Sequence, residues 1–464
     1  MLFRSIGRGS NVILMVDGPW AGMESRIGRR GGAGERGREA RPGMAFRVLA
    51  ARGLRAAAYG LQSVLLGLYL DASGFRPEQV GWMLTATLVG SAGLTAALGA
   101  RADRWGRRRS LVVGSGITAA GALTFAASDS VGLWTAAALA GTIFSGAGEV
   151  GPLETVDSAI LPQAAPAEGR NRLFGWYSAL GALGVALGAL AAGGAAFISP
   201  VSLGYRVGFA ASAALILVST VPLLGLSSAA ETQTSSRSAA GLQRSRPVVF
   251  RLSAFFALDA LAGGFVVQGF IVYWFHQRFG VGADVLGPTF FAVNLMKAVS
   301  YPVAARLADR FGLLPTMVFT HLPSNLLLFA LPLAPGLEAA IAILILRHAL
   351  AQMDVPTRTS YLVGIVDPEE RTAAVSLTTL VRMLSHAVSP SLAGRIWQAA
   401  SAVAPFWIGG GLKIIYDSLL YAAFRNVRAI AEEESTAISH PSSGKYKTPS
   451  APPPPASDDR KTDN

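Results

Sequence analysis

The sequence predicts an all-α membrane protein with about twelve transmembrane helices, and three observations support this. Of its 464 residues, 51% are hydrophobic and only 15% are charged, whereas soluble domains carry about 25% charged residues. The mean hydropathy is +0.42. Apolar segments close to the ~20 residues that cross a bilayer recur along the chain. They lie near residues 53–71, 79–100, 110–128, 132–153, 172–195, 206–226, 251–276, 284–306, 313–333, 337–359, 372–396 and 402–424.

Polar segments flank and divide these spans. Residues 1–47 are rich in Arg and Gly and contain no apolar run long enough to cross a bilayer, so we expect a disordered basic arm. Met44, just before the first span, is an alternative start of translation. The remaining expected parts are a six-helix half at 48–226, a cytoplasmic linker at 227–249, a second six-helix half at 250–429 and a disordered tail at 430–464.

The net charge of +12 has a membrane explanation rather than a nucleic-acid one. Membrane proteins concentrate Lys and Arg in their cytoplasmic loops. With the N-terminus inside, the stretch from Arg101 to Arg109, Arg170 and the linker all fall on one side, and the other side keeps few basic residues. We therefore expect a multi-pass plasma-membrane protein with both termini in the cytoplasm, in contact with the lipid bilayer and with no nucleic acid.

Enzymatic and cofactor chemistry has no signature in this chain. It contains no cysteine, which excludes disulfides, thiolate metal sites and Cys nucleophiles. It has no Gly-rich phosphate loop ending in Gly-Lys-Ser/Thr, so ATP-driven transport is unsupported. We predict a protein that is not an enzyme, needs no cofactor or metal, and acts as a monomer.

The two halves of the chain repeat one another. Asp103-Arg104-Trp105-Gly106 follows span two, and Asp309-Arg310-Phe311-Gly312 follows span eight. Pro152 of span four has a counterpart in Pro356 of span ten, at the same offset of roughly 200 residues. A repeat of six helices per half is typical of transporters, because two halves can rock about a site between them.

The loop after span two carries a motif that points to a family. It reads Gly99-Ala100-Arg101-Ala102-Asp103-Arg104-Trp105-Gly106-Arg107-Arg108-Arg109, and it is similar to the G-x-x-x-D-R-x-G-R-R signature of the major facilitator superfamily. The second copy keeps D-R-x-G and loses the basic pair. The resemblance covers roughly residues 50–425 and implies a gate at this motif. The gating candidates are Gly99, Asp103, Arg104, Gly106, Arg107, Arg108, Asp309, Arg310 and Gly312.

The residue types of this motif suit such a gate. Gly106 lets a short loop turn without a Cβ penalty, and Asp103 suits a place near a helix N-terminus. Arg104, Arg107 and Arg108 can pair with acidic groups on the cytoplasmic face and hold an inner gate closed. The alternative is that the arginines only set the topology.

Two departures weaken a drug-exporter interpretation within the superfamily. Span four has no Arg where many proton-coupled drug exporters carry one, and Ala189 of span five stands where their Pro is expected. Span five instead has a row of glycines, which close helix packing explains more simply.

Ionisable residues inside the spans are functional candidates, because each costs at least a few kcal/mol in the bilayer. Glu149 and Asp259 have no evident partner in their own helices, and we interpret them as proton-coupling candidates or as partners of the cations. Lys413 and Asp417 are spaced to pair on one helix face, and Asp354 is a candidate interhelix hydrogen-bond partner. The remaining substrate or charge-pair candidates are Lys297, Arg347 and Arg382.

These features predict secondary active transport of a small-molecule solute by alternating access. The first expectation is export of an organic compound in exchange for protons. The alternatives are proton-coupled import of an anionic metabolite, for which the cations would bind the substrate, and a membrane sensor built on a transporter fold.

Overall fold

The computed structural model describes residues 42–146, 151–165, 167–226, 242–367 and 369–425, and all regular secondary structure in these ranges is helical. The N-terminal half contains α1 (Pro42–Ala72), α2 (Pro77–Trp105), α3 (Arg107–Ala127), α4a (Val131–Leu139), α4b (Glu154–Ile160), α5 (Ala167–Ala192), α6a (Val201–Val218) and α6b (Thr220–Leu224). The C-terminal half contains α7a (Arg246–Gly264), α7b (Gln268–Phe279), α8 (Ala283–Phe311), α9 (Leu313–Ala330), α10a (Leu337–Ala351), α10b (Asp354–Ile365), α11 (Arg371–Ala399) and α12 (Ala404–Phe424).

These helices make twelve passes, six in each half, over the described part of the chain. Six helical stretches are long and apolar enough to cross a membrane by length and composition alone. Four passes of the C-terminal half are not among those six, namely α8, helix 10 (α10a with α10b), α11 and α12. These four carry all the charged candidates of that half except the one on α7a. Intramembrane charge lowers the hydropathy of these helices.

Helices 4, 6, 7 and 10 are interrupted, whereas the sequence predicts continuous spans for all four. The breaks in helices 4 and 7 meet across the two halves. The Gly269 N–H, which α7a cannot bond, donates to the Ser145 carbonyl at 2.9 Å, and the Gln268 amide donates to the Ser63 hydroxyl at 2.8 Å. Non-helical backbone is tolerated at membrane depth where protein groups satisfy it and it lines a cavity.

Helix α1 corrects the predicted boundary of the N-terminal arm. It begins at Pro42, and Met44 and Val48 are buried in an apolar cluster with residues of α2, α4b and α5. Residues 42–47 therefore belong to the helical half and not to the arm. The rest of the predicted arm and the predicted C-terminal tail from residue 430 lie outside the described residues.

The linker boundary also moves, because α7a begins at Arg246. Glu370, the residue before α11, fastens the end of the linker: its carboxylate accepts the backbone N–H groups of Gln243, Arg244 and Ser245 at 2.7, 2.9 and 2.8 Å. These donors, that of Ser245 foremost, lower the pKa of Glu370 to about 2.

The glycines of α5 pack against α1, as the sequence predicts. A Cβ at Gly184 would lie 2.6 Å from the Gly53 carbonyl oxygen, and one at Gly188 would lie 2.7 Å from the Ala57 carbonyl carbon. Two packed carbons normally stand about 3.5–4.0 Å apart, so only glycine allows the two helices to approach this closely.

The halves meet on the face opposite the two motif loops. We call the face with loops 105–107 and 311–313 the motif face, and the other the closed face. On the closed face Arg395 Nε donates to Glu78 at 3.0 Å, the Tyr273 hydroxyl donates to the Phe75 carbonyl at 3.2 Å, and His276 stands 3.1 Å from Asp71. The other hydrogen bonds identified between the halves lie on this face or near the breaks in helices 4 and 7. The side chains that line the space between the halves extend toward the motif face, as far as Arg52 and Glu154.

Candidate functional site

The two motif loops have matching backbone conformations. Gly106 has φ 94° and Gly312 has φ 90°, in the region that favours glycine. Beside each loop an Arg stacks on the aromatic residue before the glycine: Arg101 lies 5.8 Å from the Trp105 ring centre, and Arg310 lies 5.3 Å from that of Phe311. The conformational reason for Gly106 in the sequence is thus confirmed, and the repeat extends to the backbone conformation of the two loops, whereas the stacked arginines come from different positions of the motif.

The other motif residues differ in their surroundings. Arg107 is buried and donates to the Ala159 carbonyl at 3.0 Å, which ties the start of α3 to α4b. The side chain of Asp103 lies outside the described residues. The exposed members are Gly99, Arg104, Arg108, Asp309 and Arg310. A gating role for the motif remains a prediction.

A cavity of about 870 Å³ lies between the halves. The N-terminal half contributes mainly apolar and aromatic side chains together with Arg52 and Glu154. The C-terminal half contributes most of the charge, and its ionisable lining residues are Asp259, Lys297, His321, Arg347, His348, Asp354, Arg358, Arg382, His386 and Lys413. The cavity thus brings together six of the intramembrane candidates predicted from the sequence.

Asp259 is the centre of a charge cluster. Its Oδ1 accepts from Lys413 Nζ at 2.6 Å, and its Oδ2 accepts from Arg358 and Arg382, each at 3.2 Å. Arg358 also donates to Asp354 at 2.8 Å, one turn earlier on α10b. The predicted alternative of pairing between Asp259 and Arg382 is therefore present, but sequence reasoning missed Arg358, whose i, i+4 spacing from Asp354 was the available signal.

The predicted pair of Lys413 with Asp417 is wrong. Asp417 is fully buried and bonds to α9, accepting from Asn325 Nδ2 at 2.8 Å and lying 2.9 Å from His321 Nδ1. Lys413 turns toward Asp259, with His321 Nε2 at 3.4 Å. Spacing on one helix permits a pair, but here closer partners on neighbouring helices are available to both residues.

Lys297 and Arg347 differ from the other cavity cations. Each is only 7% exposed and lines the cavity. Lys297 Nζ has Asn294 Oδ1 at 3.4 Å, and Arg347 has the ring of His348 at 3.3 Å. Neither forms an ion pair with a carboxylate of the described residues. These two cations therefore offer donors to a ligand in the cavity.

Two ion pairs link α1 to α4b at the motif-face end of the N-terminal half. Arg52 pairs with Glu154, and the buried Arg55 pairs with Asp157, which also accepts the Tyr177 hydroxyl at 2.9 Å. Sequence reasoning did not identify either pair. The signal was the matched i, i+3 spacing on the two helices.

The second predicted proton-coupling residue, Glu149, lies outside the described residues. Within the ranges that are described, no group of three or more His, Asp or Glu side chains is placed to hold a metal ion.

Comparisons with known proteins agree with this architecture. A profile of the Major Facilitator Superfamily matches residues 48–346. An uncharacterized membrane protein of Saccharomyces cerevisiae is 27% identical over 420 residues, which cover 81% of this chain and 93% of the relative.

Solved structures share the fold at low identity. A D-xylose-proton symporter has a TM-score of 0.66 at 15% identity and covers 81% of this chain and 97% of its own. The nucleoside transporter NupG has a TM-score of 0.66 at 14% identity, covering 82% and 99%. The human organic anion transporter MFSD10 has a TM-score of 0.54 at 18% identity, covering 82% and 100%. The chain therefore belongs to the Major Facilitator Superfamily and is a membrane transporter of a small solute.

Proposed function

We propose that this transporter carries a small organic anion together with protons, and that the anion binds at Lys297 and Arg347. One observation carries the proposal: both cations are buried at the cavity wall without a carboxylate partner among the described residues. An unbalanced charge in the membrane costs at least a few kcal/mol. A transient partner of opposite charge, supplied by the substrate, accounts for their presence.

Proton coupling is supported by the position of Asp259. The three cations that bind it, Arg358, Arg382 and Lys413, also line the cavity. A proton on Asp259 would neutralise the carboxylate and make the cavity more positive, so proton and anion would favour each other's binding. Such coupling is reciprocal by thermodynamic linkage. Glu149 remains the second proton-coupling candidate from the sequence.

This charge pattern supports the anion-import expectation over the export of an organic compound by proton exchange. Binding of anion and proton to the same state is symport, and an inward proton gradient then drives the anion inward. We further propose a plasma-membrane monomer with both termini inside, so that the motif face is cytoplasmic and the cavity faces inward. A reporter fused within 242–245 checks the topology, because an external signal there would reverse it.

Uptake into proteoliposomes tests the function. The purified protein is reconstituted and offered labelled organic acids and neutral solutes of similar size, with and without an acidic exterior. We expect anion accumulation that depends on the pH gradient. Lys297→Gln and Arg347→Gln should each lower uptake at least about tenfold, since each removes one charged hydrogen bond.

Arg172→Gln is the matched control, because Arg172 is an exposed arginine at the start of α5. It should leave uptake unchanged. Accumulation of neutral solutes but not of anions, or full activity of both cavity variants, would contradict the proposal.

A further inference from the structure

The cavity charges of the C-terminal half form two groups that differ in balance. The unpaired group is Lys297 and Arg347. The paired group is Asp259, Asp354, Arg358, Arg382 and Lys413, in which three cations share two carboxylates. Both groups line the same cavity. The unpaired group has two cations, and the paired group has one more cation than carboxylates within the cavity lining. Asp417 lies outside this lining, where it bonds to His321 and Asn325. Arg52 and Glu154 in the N-terminal half balance each other.

The two groups are too far apart for one small anionic group to reach both. Arg347 lies on α10a and Arg358 on α10b, beyond the interruption at 352–353. Arg358 lies eleven residues after Arg347 in the sequence, which corresponds to roughly 16 Å between their Cα atoms in a continuous helix. A carboxylate bound by Lys297 and Arg347 therefore does not neutralise the excess positive charge of the paired group.

The paired group is able to accept a second anion. Asp259 receives its shortest bond from Lys413, while the two guanidinium groups stand at 3.2 Å. Charge-assisted N–H···O bonds are normally shorter, about 2.7–2.9 Å. Arg358 and Arg382 thus both form long hydrogen bonds to the same oxygen of Asp259, and their guanidinium groups have further N–H donors for another acceptor. Guanidinium groups match carboxylate and phosphate oxygens bidentately.

From this geometry we propose that the substrate is a dianion with two separated anionic groups, one bound by Lys297 and Arg347 and the other by Arg358 and Arg382. This inference rests on the proposed function, and it names the substrate class. A dicarboxylate and a phosphorylated or phosphono-carboxylate share the required chemistry. A monoanion occupies only the unpaired group.

Ligand-dependent thermal stabilisation of the purified full-length protein in detergent tests the inference without relying on transport. Ligands that bind the folded state raise the unfolding temperature in proportion to their affinity and concentration. The probes are succinate, adipate and suberate, each compared with its monomethyl and dimethyl ester. The esters remove one or two charges at constant chain length. 3-Phosphonopropionate is compared with succinate to distinguish a phosphorus acid from a carboxylate.

We expect at least one diacid, or the phosphono acid, to bind about tenfold or more tightly than the matching monoester. Arg382→Gln should lower diacid affinity to about the level of the monoester and should lower monoester affinity far less, because only the second anionic group contacts Arg382. Equal binding of diacid and monoester at every length, both tighter than the dimethyl ester, would overturn the dianion inference and keep the anion transporter. Binding no tighter than that of the dimethyl ester would overturn the proposed function itself.

Discussion

The close contact between α1 and α5 allows a quantitative test of the packing. Gly188→Ala adds a single methyl group on α5. That carbon would lie 2.7 Å from the Ala57 carbonyl carbon and 2.9 Å from its Cα, and closer still to the carbonyl oxygen. All three atoms belong to the backbone of α1. No side-chain rotation relieves the overlap, so the two helices must separate by about 1 Å to restore normal carbon contacts.

Gly175→Ala is the matched control on the same helix, because a Cβ there meets nothing within 4 Å. Both substitutions gain about 0.5–1 kcal/mol in helix propensity, and this term cancels in their comparison. Overpacking a close contact costs about 1–3 kcal/mol. Gly188→Ala should therefore be less stable than Gly175→Ala by about 1–3 kcal/mol.

Thermal unfolding of the two purified variants in one detergent measures the difference. At roughly 2–4 °C per kcal/mol, the midpoint of Gly188→Ala should lie several degrees below that of Gly175→Ala. Equal midpoints would refute the packing of α1 on α5 described above, because a glycine row that tolerates a methyl group is not at a backbone contact.

Five further substitutions test the linker, the coupling and the gate. Glu370→Gln should destabilise the attachment of the linker at pH 7. The fold lowers the pKa of Glu370 from its usual value of 4.5 to about 2, so the ionised carboxylate stabilises the fold fully at pH values above its usual pKa. The variant should be cleaved faster than the native protein in limited proteolysis, and this difference should shrink as the pH falls from 4.5 toward 2. A difference in cleavage that does not change with pH would contradict this prediction. Asp259→Asn or Glu149→Gln should abolish gradient-driven accumulation in proteoliposomes but preserve exchange at equal concentrations; unchanged accumulation by both would exclude them as coupling groups. Asp103→Asn should lower transport sharply at normal expression, and Asp309→Asn, in the copy without the basic pair, should have the smaller effect; normal transport by Asp103→Asn would reduce the motif to a topology signal.

Hydropathy predicts the number of passes but not their interruptions. Residues 140–146 remain apolar although they leave the helix, so a window of mean hydropathy runs through the break. What stabilises the break is the bond from Gly269 to Ser145 across the two halves. A partner more than a hundred residues away leaves no local trace in composition. The conformation of Gly106, by contrast, follows from a short loop between two helices, and it was predictable.

Sequence spacing identified costly buried charges but did not predict which of them pair. Asp259 was identified because a carboxylate in an apolar span is costly. Its partners lie on three other helices, and sequence spacing cannot rank partners across helices. Lys413 had a permitted partner on its own helix and another on α7a, and the structure pairs it with the second. The pairing of Arg55 was missed because a basic residue near a span end fits the positive-inside rule equally well.

Because the chain contains no cysteine, a single introduced thiol can report when the closed face opens. Glu78 and Arg395 join the halves there. Ser391, one turn before Arg395, is buried, and its backbone N–H donates to Thr85 of the other half at 3.0 Å. A thiol introduced by Ser391→Cys would be the sole reactive sulfur in the molecule. Its rate of alkylation by an impermeant maleimide would then time the separation of the halves with no background to subtract. The native chain thus serves directly as the reference for measuring how often the transporter opens to the other side, and how much each solute or pH step changes that frequency.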